Sequence, residues 1–152
     1  MTRRRGPAAI VVAAMTMALV LSLAGSAAAA NNTVKAKLSG KEETHDADQD
    51  GKGDFTAKLK KKKKKVCFDV SFTDIGNPTV AHIHDGPKKV SGPPVVTLFE
   101  DSAGLPSPIS DCVKTKKKLI KKIKRNPQEY YVNLHTDEYP DGAIRGQLKP
   151  GG

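Results

Sequence analysis

The chain has no tryptophan, and phenylalanine and tyrosine bring its aromatic content to only 5% of 152 residues. A surface that stacks bases needs aromatic rings among its cations, so a nucleic acid is not an expected partner. No Cys-x-x-Cys pair and no Gly-x-Ser-x-Gly elbow occurs, which removes dithiol redox catalysis and the elbow-type nucleophile. There is also no alternation of strand patterns with long helical ones, so a parallel α/β sheet is disfavoured. Acid is scarce relative to base: 16 acidic side chains stand against 26 lysines and arginines, for a formal charge of +10.

The one long apolar run lies at the N-terminus. Arg3, Arg4 and Arg5 precede Ala8 to Leu23, and Ala28-Ala29-Ala30 forms an A-x-A site before Asn31. This is the pattern of a cleaved export signal over residues 1–30, with no permanent membrane anchor and a secreted, extracellular single domain over residues 31–152. Losing three arginines leaves the mature chain at +7. Most of that charge sits in two lysine blocks, Lys58 to Lys65 and Lys114 to Lys124. Such blocks either keep an exported protein soluble or bind an anionic cell-surface polymer.

Two cysteines, Cys67 and Cys112, remain after the signal. An even count in an exported chain points to a disulfide; two unrelated buried thiols are the alternative. A bridge would close a loop of about 45 residues and stabilise by roughly 4 kcal/mol if its effect is loop entropy.

Period-two alternation marks about seven short strands: Val34–Leu38, Phe55–Leu59, Val66–Phe72, Thr79–His84, Val95–Phe99, Tyr130–Thr136 and Ala143–Leu148. Glu100 to Asp111 reads as a loop. Lys116 to Arg125 reads as a single helix, capped by Thr115, with Leu119, Ile120 and Ile123 as an apolar stripe docked on the sheet. The expected fold is all-β: an antiparallel, Greek-key-like sandwich or barrel with one short inserted helix.

Alternation also sorts side chains by face. Ala81, Ile83, Val132, Leu134 and Ile144 share the core side. His82, His84, Asn133, His135 and Arg145 then share the other. His82 and His84 are about 6 to 7 Å apart along one strand, and His135 from a second strand would complete a three-imidazole set suited to copper or zinc. Asp85 or Asp137 is the expected supporting carboxylate, and Arg145 an anchor for a loop. The bland alternative is that these imidazoles bond loop carbonyls, Asn133 or Thr136. His45 lies in a polar loop and is set aside. Asp46, Asp48, Asp50 and Asp54 resemble the first half of a calcium loop. Ala57 stands where the bidentate glutamate belongs, so a weak calcium site at most is expected of that turn.

Four segments together resemble the chordin (CHRD) domain family: Ala81-His82-Ile83-His84-Asp85-Gly86, Gly92-Pro93-Pro94-Val95-Val96-Thr97-Leu98-Phe99, Tyr131-Val132-Asn133-Leu134-His135-Thr136 and Gly142-Ala143-Ile144-Arg145-Gly146-Gln147-Leu148. Leu38-Ser39-Gly40 matches the family's lead-in, and the likeness runs from about Val34 to Lys149. Many members carry Glu-Val-Pro-Pro where this chain has Glu42-Glu43-Thr44-His45. The resemblance implies an extracellular β-rich binding or structural module without established catalysis; an unidentified extracellular protein, or the anionic cell-surface polymer that the lysine blocks suggest, is the expected partner. The His-x-His strand with a distant histidine is also similar to the copper site of Cu,Zn superoxide dismutase, without counterparts for that enzyme's zinc ligands. It carries superoxide dismutation as a further reading.

Overall fold

Alternating side chains lay down the strands, and the inward set of each becomes the core. The computed structural model describes residues 32–152; the expected export signal lies outside the described residues. Strand β1 (Thr33–Ser39) turns Val34, Ala36 and Leu38 inwards and Lys35 and Lys37 to solvent. β2 (Lys52–Lys60) and β3 (Lys65–Thr73) form a hairpin in which Phe55 faces Val70, Ala57 faces Phe68 and Leu59 faces Val66. The Phe55 and Phe68 rings stack with centroids 6.2 Å apart. β4 (Val80–Asp85) and β5 (Pro94–Glu100) follow, then β6 (Ile109–Lys114) and helix α1 (Lys117–Arg125). β7 (Tyr130–His135), β8 (Ile144–Gln147) and the two-residue β9 (Lys149–Pro150) complete the chain.

The strands lie in the order β5-β4-β7-β8-β1-β2-β3-β6, with β9 added to β1, and all pairings are antiparallel. The two end strands, β5 and β6, lie against each other. The sheet is therefore a nearly closed barrel, which shields the edges an open sheet would present. The links from β3 to β4 and from β6 to β7 pass over intervening strands, as the Greek-key expectation required. One apolar cluster fills the interior, and Ile120 and Ile123 of α1 join it with no exposure. Among the described residues no helix is long and apolar enough to cross a membrane.

Two local expectations are corrected. The stretch expected as a loop to Asp111 contains β6 from Ile109 onwards. Ile109, Asp111 and Val113 lie opposite Val70, Phe68 and Val66, but only Ile109 is buried and Asp111 is exposed, so Asp111 breaks the apolar alternation that would have marked the strand. Thr115 does not cap α1. Lys116 holds the cap position with no side-chain bond, and the Thr115 N–H donates instead to the Lys64 carbonyl at 2.9 Å. Cys67 and Cys112 are direct partners across β3 and β6 and form a disulfide.

Candidate metal centre

The barrel's outer face at β4, β7 and β8 is organised by register. His82 lies opposite Asn133, His84 opposite Tyr131, and Val80 opposite His135. Asn133 in turn lies opposite Arg145, and Tyr131 opposite Gln147. Alternation puts all of these side chains on the side away from the core. That side is not open to water throughout. Asn133 and Arg145 are each 2% exposed and His84 is 9% exposed, because two loops fold over them.

Arg145 fastens the first of these loops. Its guanidinium donates to the carbonyls of Pro87 and Val90, at 3.2 and 2.8 Å, and lies 3.4 Å from the centre of the Tyr131 ring. Stacking, planarity and several fixed donors are properties lysine lacks. The Tyr131 hydroxyl donates to the Gly92 carbonyl at 3.3 Å, and its ring stacks on His84 at 4.7 Å. Gly92 sits so close to the Asp85 carbonyl that a side chain would not fit.

The second loop, between β1 and β2, brings Glu43. Its carboxylate accepts a very short hydrogen bond from the Asn133 Nδ2. Burial raises the Glu43 pKa, against the pull of His45, Arg145, Asn133 and Lys89. Gly142, at φ 140°, passes directly over this pair and leaves no room for a Cβ. Glu43, His45, His84, Asn133, Asp141 and Arg145 are among the walls of a cleft of about 300 Å³.

His82, His84 and His135 converge. A nitrogen from each lies within 4.8 Å of the other two. The backbone has already settled two of the tautomers. His84 Nδ1 is 2.9 Å from the Gly92 carbonyl and His135 Nδ1 is 2.8 Å from the Pro140 carbonyl. A carbonyl only accepts, so each Nδ1 carries its proton and each Nε2 of the neutral ring is a bare lone pair. His84 Nε2 is buried and has no hydrogen-bond partner. His135 Nε2 lies 3.3 Å from His82 Nδ1.

Burial is the first cause that lowers the pKa of all three rings. His82 falls to about 4, with His135 and His84 adding to the effect. Carbonyl bonds oppose the fall at His84 and His135. The rings are therefore neutral near pH 7, the state in which imidazole binds metal.

The donor set fits a small divalent ion. Nitrogens at about 2.0–2.1 Å from a tetrahedral ion are about 3.3 Å from one another; the His82–His135 pair has that separation, and the trio as a whole lies within 4.8 Å. The carbonyl bonds at Nδ1 are those that orient metal-binding imidazoles in general. The scaffold reading and the metal reading of the histidines thus coexist: Nδ1 of His84 and of His135 holds a loop carbonyl, while His84 Nε2 is left unpaired and His135 Nε2 meets only His82.

Other expected residues lie elsewhere. Asp85 directly follows His84 in the strand, so it points to the other side and does not support the centre; it borders a lysine-lined groove instead. Asp137 is exposed, and the carboxylate that acts on His135 is that of Asp141. Asp46, Asp48, Asp50 and Asp54 do not gather as a cation site: the histidine trio is the only such group among the described residues. Asp54 lies in β2 and pairs with Lys37. Glu43 and His45 were missed. Their loop has no periodic pattern to place it, and the departure at Glu42-Glu43-Thr44-His45 was the one available signal.

Fold and site together define an antiparallel β-barrel module with three neutral imidazoles on its outer wall. The model of the CHRD domain matches residues 34–148, and the chain belongs to the CHRD domain family. The match spans all four motifs and both loops that cover the histidines. Comparison with curated proteins gives no match, and comparison with solved structures gives none either.

Proposed function

We propose that this protein is an exported CHRD module that holds one copper or zinc ion on His82, His84 and His135, and that its role is binding and not turnover. The observation that carries this reading is the unpartnered, buried Nε2 of His84 facing two further ring nitrogens. Leaving a buried acceptor unpaired costs about 1–3 kcal/mol, a cost a bound ion removes. Export is supported by Arg3 to Arg5, the apolar run to Leu23 and Ala28 to Ala30, and the Cys67–Cys112 disulfide suits an oxidising compartment.

The test is titration of chelator-stripped mature protein with Cu(II) and Zn(II), beside a His82→Ala/His135→Ala variant. One equivalent bound by the wild type and none by a folded variant is expected. Absence of stoichiometric binding by the wild type would refute the metal reading. N-terminal sequencing of the protein from culture medium checks export, with Asn31 expected as the first residue.

A further inference from the structure

The two lysine blocks are separated by some fifty residues of sequence and meet at one end of the barrel. The first forms the β2–β3 turn, and the second runs from the end of β6 through α1. Lys65 pairs with Lys114 across β3 and β6. The Thr115 N–H donates to the Lys64 carbonyl at 2.9 Å. Lys63, Lys64, Lys114, Lys117 and Lys122 line one shared groove. Lys61 has its pKa lowered first by Lys121, then by burial, Lys117 and Lys124. Neither block contains an acidic residue.

Acids collect at the other end of the same strands. Asp46, Asp48 and Asp50 lie in the β1–β2 loop, and the Asp48 N–H donates to the Ala143 carbonyl of the β7–β8 loop at 3.2 Å. Together with Glu138 these acids raise the Tyr139 pKa, after burial. β2 runs from one end to the other, and its nine residues span about 30 Å. The Debye length at physiological salt is about 8 Å. The two poles therefore do not neutralise each other, and each meets a partner with its own sign.

We propose that the lysine pole is a docking surface for a linear phosphodiester polymer of the cell envelope, which holds the protein end-on with its acidic end outward. The chemistry selects that partner. The cations are almost all lysines, point charges that follow a flexible chain of phosphates without bidentate geometry. Neither block carries an aromatic ring on which a base would stack. Their apolar side chains, Leu59, Leu119, Ile120 and Ile123, are buried or half-buried, so nothing is free to enter a bilayer. A polymer also explains why so much like charge is concentrated on one rim, where repulsion within the folded protein opposes it.

The experiment uses poly(glycerol phosphate) as probe and the mature protein. Binding is expected to weaken at least about tenfold between 50 and 200 mM NaCl, as counterion release requires. A Lys61→Gln/Lys117→Gln/Lys121→Gln variant is expected to bind at least about tenfold more weakly. A Lys41→Gln/Lys52→Gln/Lys88→Gln variant, with the same change in net charge, should stay within about twofold of wild type. Equal weakening in both variants, or no binding at 50 mM NaCl, overturns the proposal. Duplex DNA or anionic vesicles bound as tightly through the same lysines overturn the choice of partner. Chemical-shift mapping on the wild type gives a second readout independent of any variant: perturbations confined to residues 58–65 and 114–125 support the surface, and perturbations elsewhere refute it.

Discussion

Acid should weaken the metal-free protein through its buried histidines, and His82 sets the size of the effect. Its folded pKa lies near 4, against 6.5 for a free imidazole. The unfolded chain therefore binds a proton that the folded chain resists. Stability from this group is complete above pH 6.5 and is lost as pH falls towards 4. At about 1.36 kcal/mol for each pH unit, the full difference corresponds to about 3.4 kcal/mol. The ring is only part-buried, and screening by solvent reduces that to about half. His84 and His135 act in the same direction. Glu43 opposes them, because its raised pKa makes the folded state take up a proton first. The assay that isolates His82 is urea unfolding in chelator at pH 7.5 and pH 4.5, for wild type and His82→Gln. Wild type should lose about 1.5–2 kcal/mol more than the variant between the two pH values. Equal losses, or a larger loss in the variant, would refute the reasoning.

Further predictions concern the loops around the centre and the bridge. Asn133→Ala leaves the Glu43 carboxylate buried without its donor and should cost about 2–3 kcal/mol in urea unfolding, whereas Glu43→Gln should cost less than about 1 kcal/mol. Arg145→Lys loses the carbonyl clamp on Pro87 and Val90 and the stack on Tyr131; a loss of about 2 kcal/mol is expected, with faster tryptic cleavage at Lys88 and Lys89. Reducing the Cys67–Cys112 bridge, which spans 45 residues, should cost up to about 4 kcal/mol, read as a lower melting temperature in dithiothreitol.

Much of the fold is legible because one face of each strand is buried. Val34, Ala36 and Leu38, or Val66, Phe68 and Val70, announce both a strand and its inward side. The histidine face follows from the same parity, and the same parity stands against the expectation that Asp85, which adjoins His84, supports the centre. β6 hides because the exposed Asp111 stands in register with Phe68, where an apolar residue would continue the alternation, and Thr115 resembles a cap until the β2–β3 turn claims its N–H. Loop residues escape for a different reason. Glu43 reaches Asn133 from ninety residues away, and Asp141, not Asp137, acts on His135 because of how the β7–β8 loop closes. No local periodicity encodes either contact. The meeting of the two lysine blocks is likewise a product of register, through Lys65 and Lys114.

The ligand set is the central claim, and X-ray absorption at the metal edge of zinc- or copper-loaded protein tests it most directly. The account predicts three imidazole nitrogens at about 2.0–2.1 Å in the wild type, and no metal retained on an imidazole shell by the His82→Ala/His135→Ala variant. A first shell without imidazole scattering, or one unchanged in the variant, would contradict it.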